Sequence, residues 1–338
     1  MKNYKYLIVG GGMTAAAAAE GIHSIDPVGP IGVISAEVDP PYDRPPLSKG
    51  LWKGQPLESI WRKIEGLSVS LHLQTTVAAI NPQQKQATDS KGESYSWNKL
   101  LLATGSSPRM LPFGKDEIIY YRTLSDYRRL RGLAETKTRF AIIGAGFIGS
   151  EVAAALRMYG REVTIFCPGE GIGDRIFPRD ISQFITDFFR GKGVTVRNHT
   201  RVSGLVRRDE GMVLTAEGGP QVVVDAVVAG IGVGPNVQLA KAASLAIDNG
   251  IVVDEFLRTE NPDVYAAGDV AAFPCKALGR RMRVEHEDNA NVMGETAGRN
   301  MASQSDTYTH QPHFYSDLFD LGYEAVGELD SRLDIVED

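Results

Sequence analysis

YLIVGGGMTAAAAA, residues 6–19, decides how the rest of the chain is read. Tyr6, Leu7, Ile8 and Val9 form a short apolar run with β-branched members, the pattern of a strand buried on both faces. Gly10, Gly12 and Ala15 follow at the spacing G-x-G-x-x-G/A. In that pattern the first glycine makes the tight turn, the second admits a pyrophosphate to the backbone, and the third small residue lets the next helix pack on the strand. Alanine is the strongest helix former, so Ala15–Ala19 predicts a helix whose positive N-terminal end faces a diphosphate. Taken alone, the stretch reads equally as a βα turn that serves packing.

The pattern recurs at FAIIGAGFIGSE, residues 140–151, with Gly144, Gly146 and Gly149 between a second apolar strand and the helix-like run VAAALRMYG. Two copies in the same strand–turn–helix setting point to dinucleotide binding. Each copy continues into a second strand whose end meets an adenosine ribose. After the first copy that strand is Ile31–Ser35, with Glu37 just beyond it as the candidate carboxylate. After the second it is Glu162–Phe166, which runs into Cys167 where an acid is expected, with Glu170 three residues later. An acid there selects NAD and an arginine NADP, so Glu170 favours NADH while Arg175 keeps NADPH open.

At 338 residues the chain has room for two or three domains of roughly 150 residues each. Its net charge of −6 supplies no basic footprint for nucleic acid or an anionic membrane. The chain reaches its first strand by Tyr6, which predicts no secretory or transit leader, and no apolar run approaches the ~20 residues that span a bilayer. Cys167 and Cys275 are its two cysteines, far apart and without a C-x-x-C pair, which argues against a secreted disulfide scaffold. The expectation is a cytoplasmic enzyme, with no residues assigned to a metal.

Between the two copies lies the proline-rich loop DPPYDRPPLSKGLWKGQP, residues 39–56, in which Pro45 and Pro46 are expected to hold the backbone extended and aim Lys49. Residues 67–77 and 99–103 read as strands, the latter running into ATGSSPR. The polar, basic stretch 111–139 suits a connecting helix, 222–229 one buried strand, and VYAAGDV, 264–270, opens another segment. Beyond about Ser303 the chain turns aromatic and short-stranded.

YDRPPLSKGLW, LLATGSSPR, GAGFIGSE, VYAAGDV and VEHEDNANVMGETAGRNM, in this order, resemble the FAD-dependent pyridine nucleotide-disulfide oxidoreductase superfamily, in its ferredoxin-reductase branch. The tail, with HQPHFYSDL and GYEAVGELDSRL, looks most like apoptosis-inducing factor and its bacterial relatives. The resemblance implies an α/β fold of two Rossmann-like domains, FAD-binding (1–112 and 241–303) and an inserted NAD(P)-binding domain (113–240), then a small α+β, β-rich domain from 304 that runs further than Asp338 in such relatives.

By the same resemblance FAD is held by Gly10, Gly12, Thr14 and Ala15 at the pyrophosphate, Glu37 on the ribose, and Arg44, Lys49, Val77, Ala103, Thr104, Gly105, Arg109, Asp269, Glu285, His286 and Phe314. Gly144, Gly146, Phe147, Ile148, Gly149, Glu151, Glu170, Gly232, Glu285 and Tyr315 fall to NAD(P)H. Lys49, Glu151 and Phe147 are its catalytic candidates, Lys49 paired with Glu151 beside the flavin. Plainer readings stand beside these. Arg44 and Lys49 also read as solvated cations, Asp269 as a helix N-cap, Phe147 as ordinary packing, and Glu151 as an exposed first-turn glutamate. His286 is given no acid–base role, and Phe314-Tyr315 stands where such relatives carry Phe-Trp.

A redox dithiol is absent from the sequence, so electrons are expected to leave for an external acceptor. The reading is an FAD-dependent NAD(P)H oxidoreductase, monomer or homodimer. Its alternatives are a ferredoxin or rubredoxin reductase of an oxygenase chain, and a redox-controlled interaction protein like apoptosis-inducing factor.

Overall fold

Tyr6–Val9 is a strand with all four side chains buried, flanked in parallel by Ile31–Ile34 and Lys99–Leu102 in the computed structural model, which describes residues 1–334 and 336. Val69–His72 extends the sheet beyond Ile31–Ile34, and Val264–Ala266 extends it beyond Lys99–Leu102. The strand order reverses between Tyr6–Val9 and Lys99–Leu102, and in such open sheets ligands bind beyond the strand ends at this switch. Gly10 stands there with φ +123°, and a Cβ on it would lie 2.0 Å from the Ala103 carbonyl oxygen. Only glycine lets the two strand ends approach that closely.

The alanine run then explains itself. The helix Met13–Ile25 packs backbone to backbone against the helix Glu287–Met301: a Cβ on Gly294 would lie 2.5 Å from the Thr14 carbonyl oxygen, and one on Gly298 2.2 Å from that of Ala18. Gly298→Ala is therefore expected to cost about 1–3 kcal/mol of stability by forcing the helices apart. Gly132→Ala, whose Cβ would meet nothing in the helix Leu124–Thr136, should gain up to about 1 kcal/mol. Urea unfolding of both variants checks the pair, and equal midpoints would contradict the close packing.

A second parallel sheet repeats the device, in the order Ile118–Tyr120, Ala226–Ala229, Arg139–Ile143, Glu162–Phe166, Thr195–Arg197. Its order also reverses beside the glycine turn, where Gly144 has φ +102° and a Cβ would meet the Gly230 carbonyl oxygen at 2.3 Å. Ala141, Phe166, Leu214 and Val227 are among the side chains of its core.

The chain divides into two units: residues 1–43, 57–107 and 234–314 form the first; residues 44–56, 108–233 and the described residues from 315 form the second. The crossings thus fall at 107/108 and 233/234 where the sequence placed them at 112/113 and 240/241, and the tail divides at 314/315. Packing accounts for each shift. Arg109 N–H donates to the Gly232 carbonyl and Leu111 N–H to the Tyr120 hydroxyl within the second unit, while Asn236 bonds Thr104 and Gly105 within the first. The loop 44–56 joins the second unit because Trp52 packs edge-on against Tyr127 and Tyr159, and Arg44 Nη1 donates to the Arg122 carbonyl. Phe319 against Phe188 and Phe189 seats the tail.

Several local expectations are corrected. Pro45–Leu47 is a 3-10 turn and not extended, since a proline's preset φ and missing N–H suit a first helical position. Residues 67–77 split into Val69–His72 and the start of Val77–Asn81, strands of different sheets, with Gln74 at φ +51° between them. Val222–Val224 and Ala226–Ala229 are likewise separate: Asp225 between them accepts the Arg139 guanidinium, which chiefly holds its carboxyl down to about 2, together with the Arg139 and Thr138 N–H groups. Within 111–139, Ile118–Tyr120 is an edge strand, and only Leu124–Thr136 is helical, opened by a Thr123–Asp126 capping box. In VYAAGDV the strand ends at Ala266.

Candidate functional site

In the first unit the helix after Gly10 begins at Gly12 with no capping side chain. An uncapped N-terminus directs backbone N–H groups and a positive partial charge outward, the arrangement that takes a phosphate. Gly268, at φ +76°, presses on the same end: a Cβ there would lie 2.3 Å from Thr14 Oγ1. This contact brings Asp269 to the glycine turn. Asp269 is buried, accepts the Ser106 hydroxyl on Oδ2 at 2.7 Å, and sits second in the 3-10 turn Gly268–Val270, so it is not an N-cap. Arg283 Nη1 donates to its carbonyl and pairs with Glu285 at 2.6 Å.

Glu37 follows the second strand, and its Oε2 accepts the Tyr42 hydroxyl at 2.6 Å. A Cβ on Gly105, at φ +63°, would meet nothing, so the turn after Ala103 and Thr104 faces open space. Val77 is buried at the start of its strand. His286 is the N-cap residue of the helix Glu287–Met301, and its ring stacks on Phe314 with centroids 4.1 Å apart and planes at 10°. A glycine turn, an uncapped helix, open space and a carboxylate at one switch point fit a dinucleotide such as FAD.

Burial pulls the His286 imidazole down from 6.5 to about 4, so the ring is neutral at pH 7. Between those two values the unfolded chain binds a proton that the folded chain does not. The contribution of His286 to stability is therefore present above pH 6.5 and is lost as pH falls toward 4. His286→Gln should flatten this part of the stability–pH curve. An unchanged slope in the variant would contradict it.

In the second unit a Cβ on Gly149 would lie 2.1 Å from the Gly144 carbonyl oxygen, so these two glycines are needed for packing. Gly146 is different. A Cβ there would meet no atom within 4 Å, although Gly146 opens the helix Phe147–Met158 without a capping side chain. Space kept clear at an uncapped helix end is what a nucleotide pyrophosphate requires. Ile148 is exposed in the first turn, and Gly232, at φ +90°, lies against Arg109.

One turn further, Glu151 is buried and is not the exposed first-turn glutamate of the plainer reading. Its Oε1 accepts Lys49 Nζ at 2.7 Å and the Ser316 hydroxyl at 2.6 Å, and its Oε2 accepts the Ser48 hydroxyl at 2.6 Å. Lys49, 12% exposed, is no solvated cation, and its Nζ stands 5.2 Å from the Tyr315 ring centroid. Phe147 stacks on Tyr323 with centroids 6.2 Å apart, and Phe177 meets Tyr323 edge-on. Burial raises the Tyr323 hydroxyl above its ordinary range, so it stays protonated.

Arg44, Lys49 and Arg109, read for FAD from the sequence, lie in the unit that carries the second glycine turn. Ser48, Ser106, Ser316, Tyr42 and Tyr323 went unread, because a lone hydroxyl has no period or spacing that marks it. Ser48 and Ser106 do lie inside stretches singled out for other residues, RPPLSK and ATGSSPR.

Residues 4–294 match the family described as pyridine nucleotide-disulphide oxidoreductase, and residues 297–337 match the mitochondrion-associated C-terminal region of apoptosis-inducing factor. The ferredoxin–NAD(+) reductase component of the anthranilate 1,2-dioxygenase system of Burkholderia cepacia is 34% identical over 332 residues, which cover 95% of this chain and 81% of that protein. Putative apoptosis-inducing factor 1 of Drosophila melanogaster is 33% identical over 382 residues, covering 99% of this chain and 51% of that protein. The chain thus spans about half the length of that relative. Among solved structures, putidaredoxin reductase in its covalent complex with putidaredoxin superposes with a TM-score of 0.91 at 31% identity, over 97% of this chain and 82% of that one. The chain belongs to the pyridine nucleotide-disulphide oxidoreductase family.

Proposed function

We propose that this protein oxidises NAD(P)H and delivers the electrons to an external acceptor protein of the ferredoxin kind. The observation that carries this reading is the pair of glycine turns, each at a sheet switch point and each opening an uncapped helix, in a chain whose two cysteines are both buried and lie in different units. The sequence holds neither C-x-x-C nor C-x-x-x-x-C, so we assign the electrons to an acceptor outside the chain. Bound FAD supplies a ring that accepts a hydride and releases electrons onward. The polypeptide binds and orients: Gly10, Thr14 and Asp269 hold one dinucleotide, and Gly144, Gly146 and Gly149 the other. The Lys49–Glu151 pair, one helical turn from Gly146, is the charged element we assign to the reaction. The relatives that are ferredoxin reductases support the choice of acceptor.

Anaerobic stopped-flow mixing of the yellow protein with NADH or NADPH is expected to bleach its flavin band, and a ferredoxin is expected to restore it faster than a dye does. Absence of bleaching by either nucleotide would overturn the reading. The match of residues 297–337 favours a second reading, association governed by bound nucleotide. Sedimentation with and without NADH tests it, and an unchanged mass argues against it. We place the protein in the cytoplasm, supported by two cysteines that are both unpaired thiols.

A further inference from the structure

Ser48 and Lys49 both reach the Glu151 carboxylate, yet they lie between two 3-10 turns, Pro45–Leu47 and Gly50–Lys53, and in no longer element. A connection this short does not fix a lysine by itself, because the four-carbon stem has many rotamers. The chain on either side of the two residues is held instead. The Leu47 carbonyl, directly before Ser48, accepts two buried side-chain donors, Trp52 Nε1 at 2.8 Å and the Tyr121 hydroxyl. Both lone pairs of one carbonyl oxygen are thereby used. The backbone N–H of Trp52 donates to the Lys49 carbonyl at 3.1 Å, so Trp52 brackets Ser48 and Lys49 from both sides.

The two donors are themselves anchored. Tyr121 stands between the strand Ile118–Tyr120 and the Thr123 cap of the helix Leu124–Thr136. Trp52 lies edge-on to Tyr127 and Tyr159, and the Arg131 guanidinium stands over its ring at 5.3 Å from the centroid. Burial raises the Tyr121 hydroxyl well above its ordinary range, so it stays a donor. A phenylalanine would fill the same space without burying a hydroxyl, so packing alone does not account for the tyrosine.

We propose that Tyr121 and Trp52 are positioning residues for Lys49: by clamping the Leu47 carbonyl they hold Ser48 and Lys49 where Glu151 meets both, and so set the place of the ammonium during flavin reduction. The proposal rests on the assignment of the Lys49–Glu151 pair to the reaction. A misplacement of about 1 Å in an aligned group costs on the order of 100-fold in rate, so loss of one of the two donors is expected to cost about tenfold.

The test is anaerobic stopped-flow reduction of the flavin-loaded protein over a range of NADH concentrations, with the visible spectrum recorded before mixing. Tyr121→Phe keeps the ring and removes only the donor. It is expected to slow the limiting rate of bleaching about tenfold, to leave the Kd of NADH unchanged, and to shift the flavin band in the direction that Lys49→Met shifts it. In a Lys49→Met background there is no ammonium to place, so Tyr121→Phe should change the rate by less than about twofold. A wild-type limiting rate and spectrum in Tyr121→Phe would overturn the clamp, as would a loss of the same size in the Lys49→Met background. A Lys49→Met protein that bleaches at the wild-type rate would overturn instead the assignment of the pair to the reaction.

Discussion

Gly146→Ala is expected to weaken NAD(P)H binding about 100-fold, the loss of one or two charge-assisted hydrogen bonds, and to leave the thermal midpoint where it was. Gly146 has φ −82°, which alanine adopts without strain, and its Cβ would meet no protein atom within 4 Å. The fold therefore has no use for a glycine there. The methyl would instead occupy the space in front of the uncapped helix Phe147–Met158, where a pyrophosphate approaches the backbone N–H groups. Gly149→Ala is the contrast. Its Cβ would lie 2.1 Å from the Gly144 carbonyl oxygen, so it should lose stability as well as affinity. Scanning calorimetry with nucleotide titration separates the two effects, and a Gly146→Ala protein that binds NADH like wild type would remove the nucleotide from this turn.

Glu151→Ala is expected to cost about 3 kcal/mol of unfolding free energy, the low end of what breaking a buried ion pair costs. Glu151 is 4% exposed and is the common acceptor of Lys49, Ser48 and Ser316. Removing it takes from Lys49, Ser48 and Ser316 the acceptor they share, and cuts one tie of the 44–56 loop and of the 315 segment to the helix Phe147–Met158. Lys49→Met with Glu151→Gln should recover most of the loss, because the uncompensated charge goes with its partner. Urea unfolding of Lys49→Met, Glu151→Gln and the double variant gives the coupling. A Glu151→Ala protein as stable as wild type would show that the pair holds nothing.

Much of this was legible in the residues. The two glycine turns, the strands before them and the ends of Ile31–Ile34 and Glu162–Phe166 lay in local patterns, because a buried parallel strand needs a continuous apolar run and a tight turn needs glycine at a set offset. Glu151 and Lys49 were paired only through family resemblance, since nothing in their own spacing joins residues 102 positions apart. The division of 222–229 was hidden because Asp225 looks like one polar residue in a strand until its partners Thr138 and Arg139 come from another part of the chain.

Taken by itself, the sequence determined that this chain has two glycine turns after buried strands and no closely spaced cysteine pair, since each is a matter of residue type at short range. Tertiary structure alone decided which glycine the packing requires and which it leaves clear, why YLIVGGGMTAAAAA needs its alanines, and where the loop 44–56 belongs. Those depend on what a Cβ would strike: the backbone of Glu287–Met301 against the alanine helix, the Gly144 carbonyl at Gly149, and nothing at Gly146. Such neighbours are distant in the chain and become adjacent only on folding.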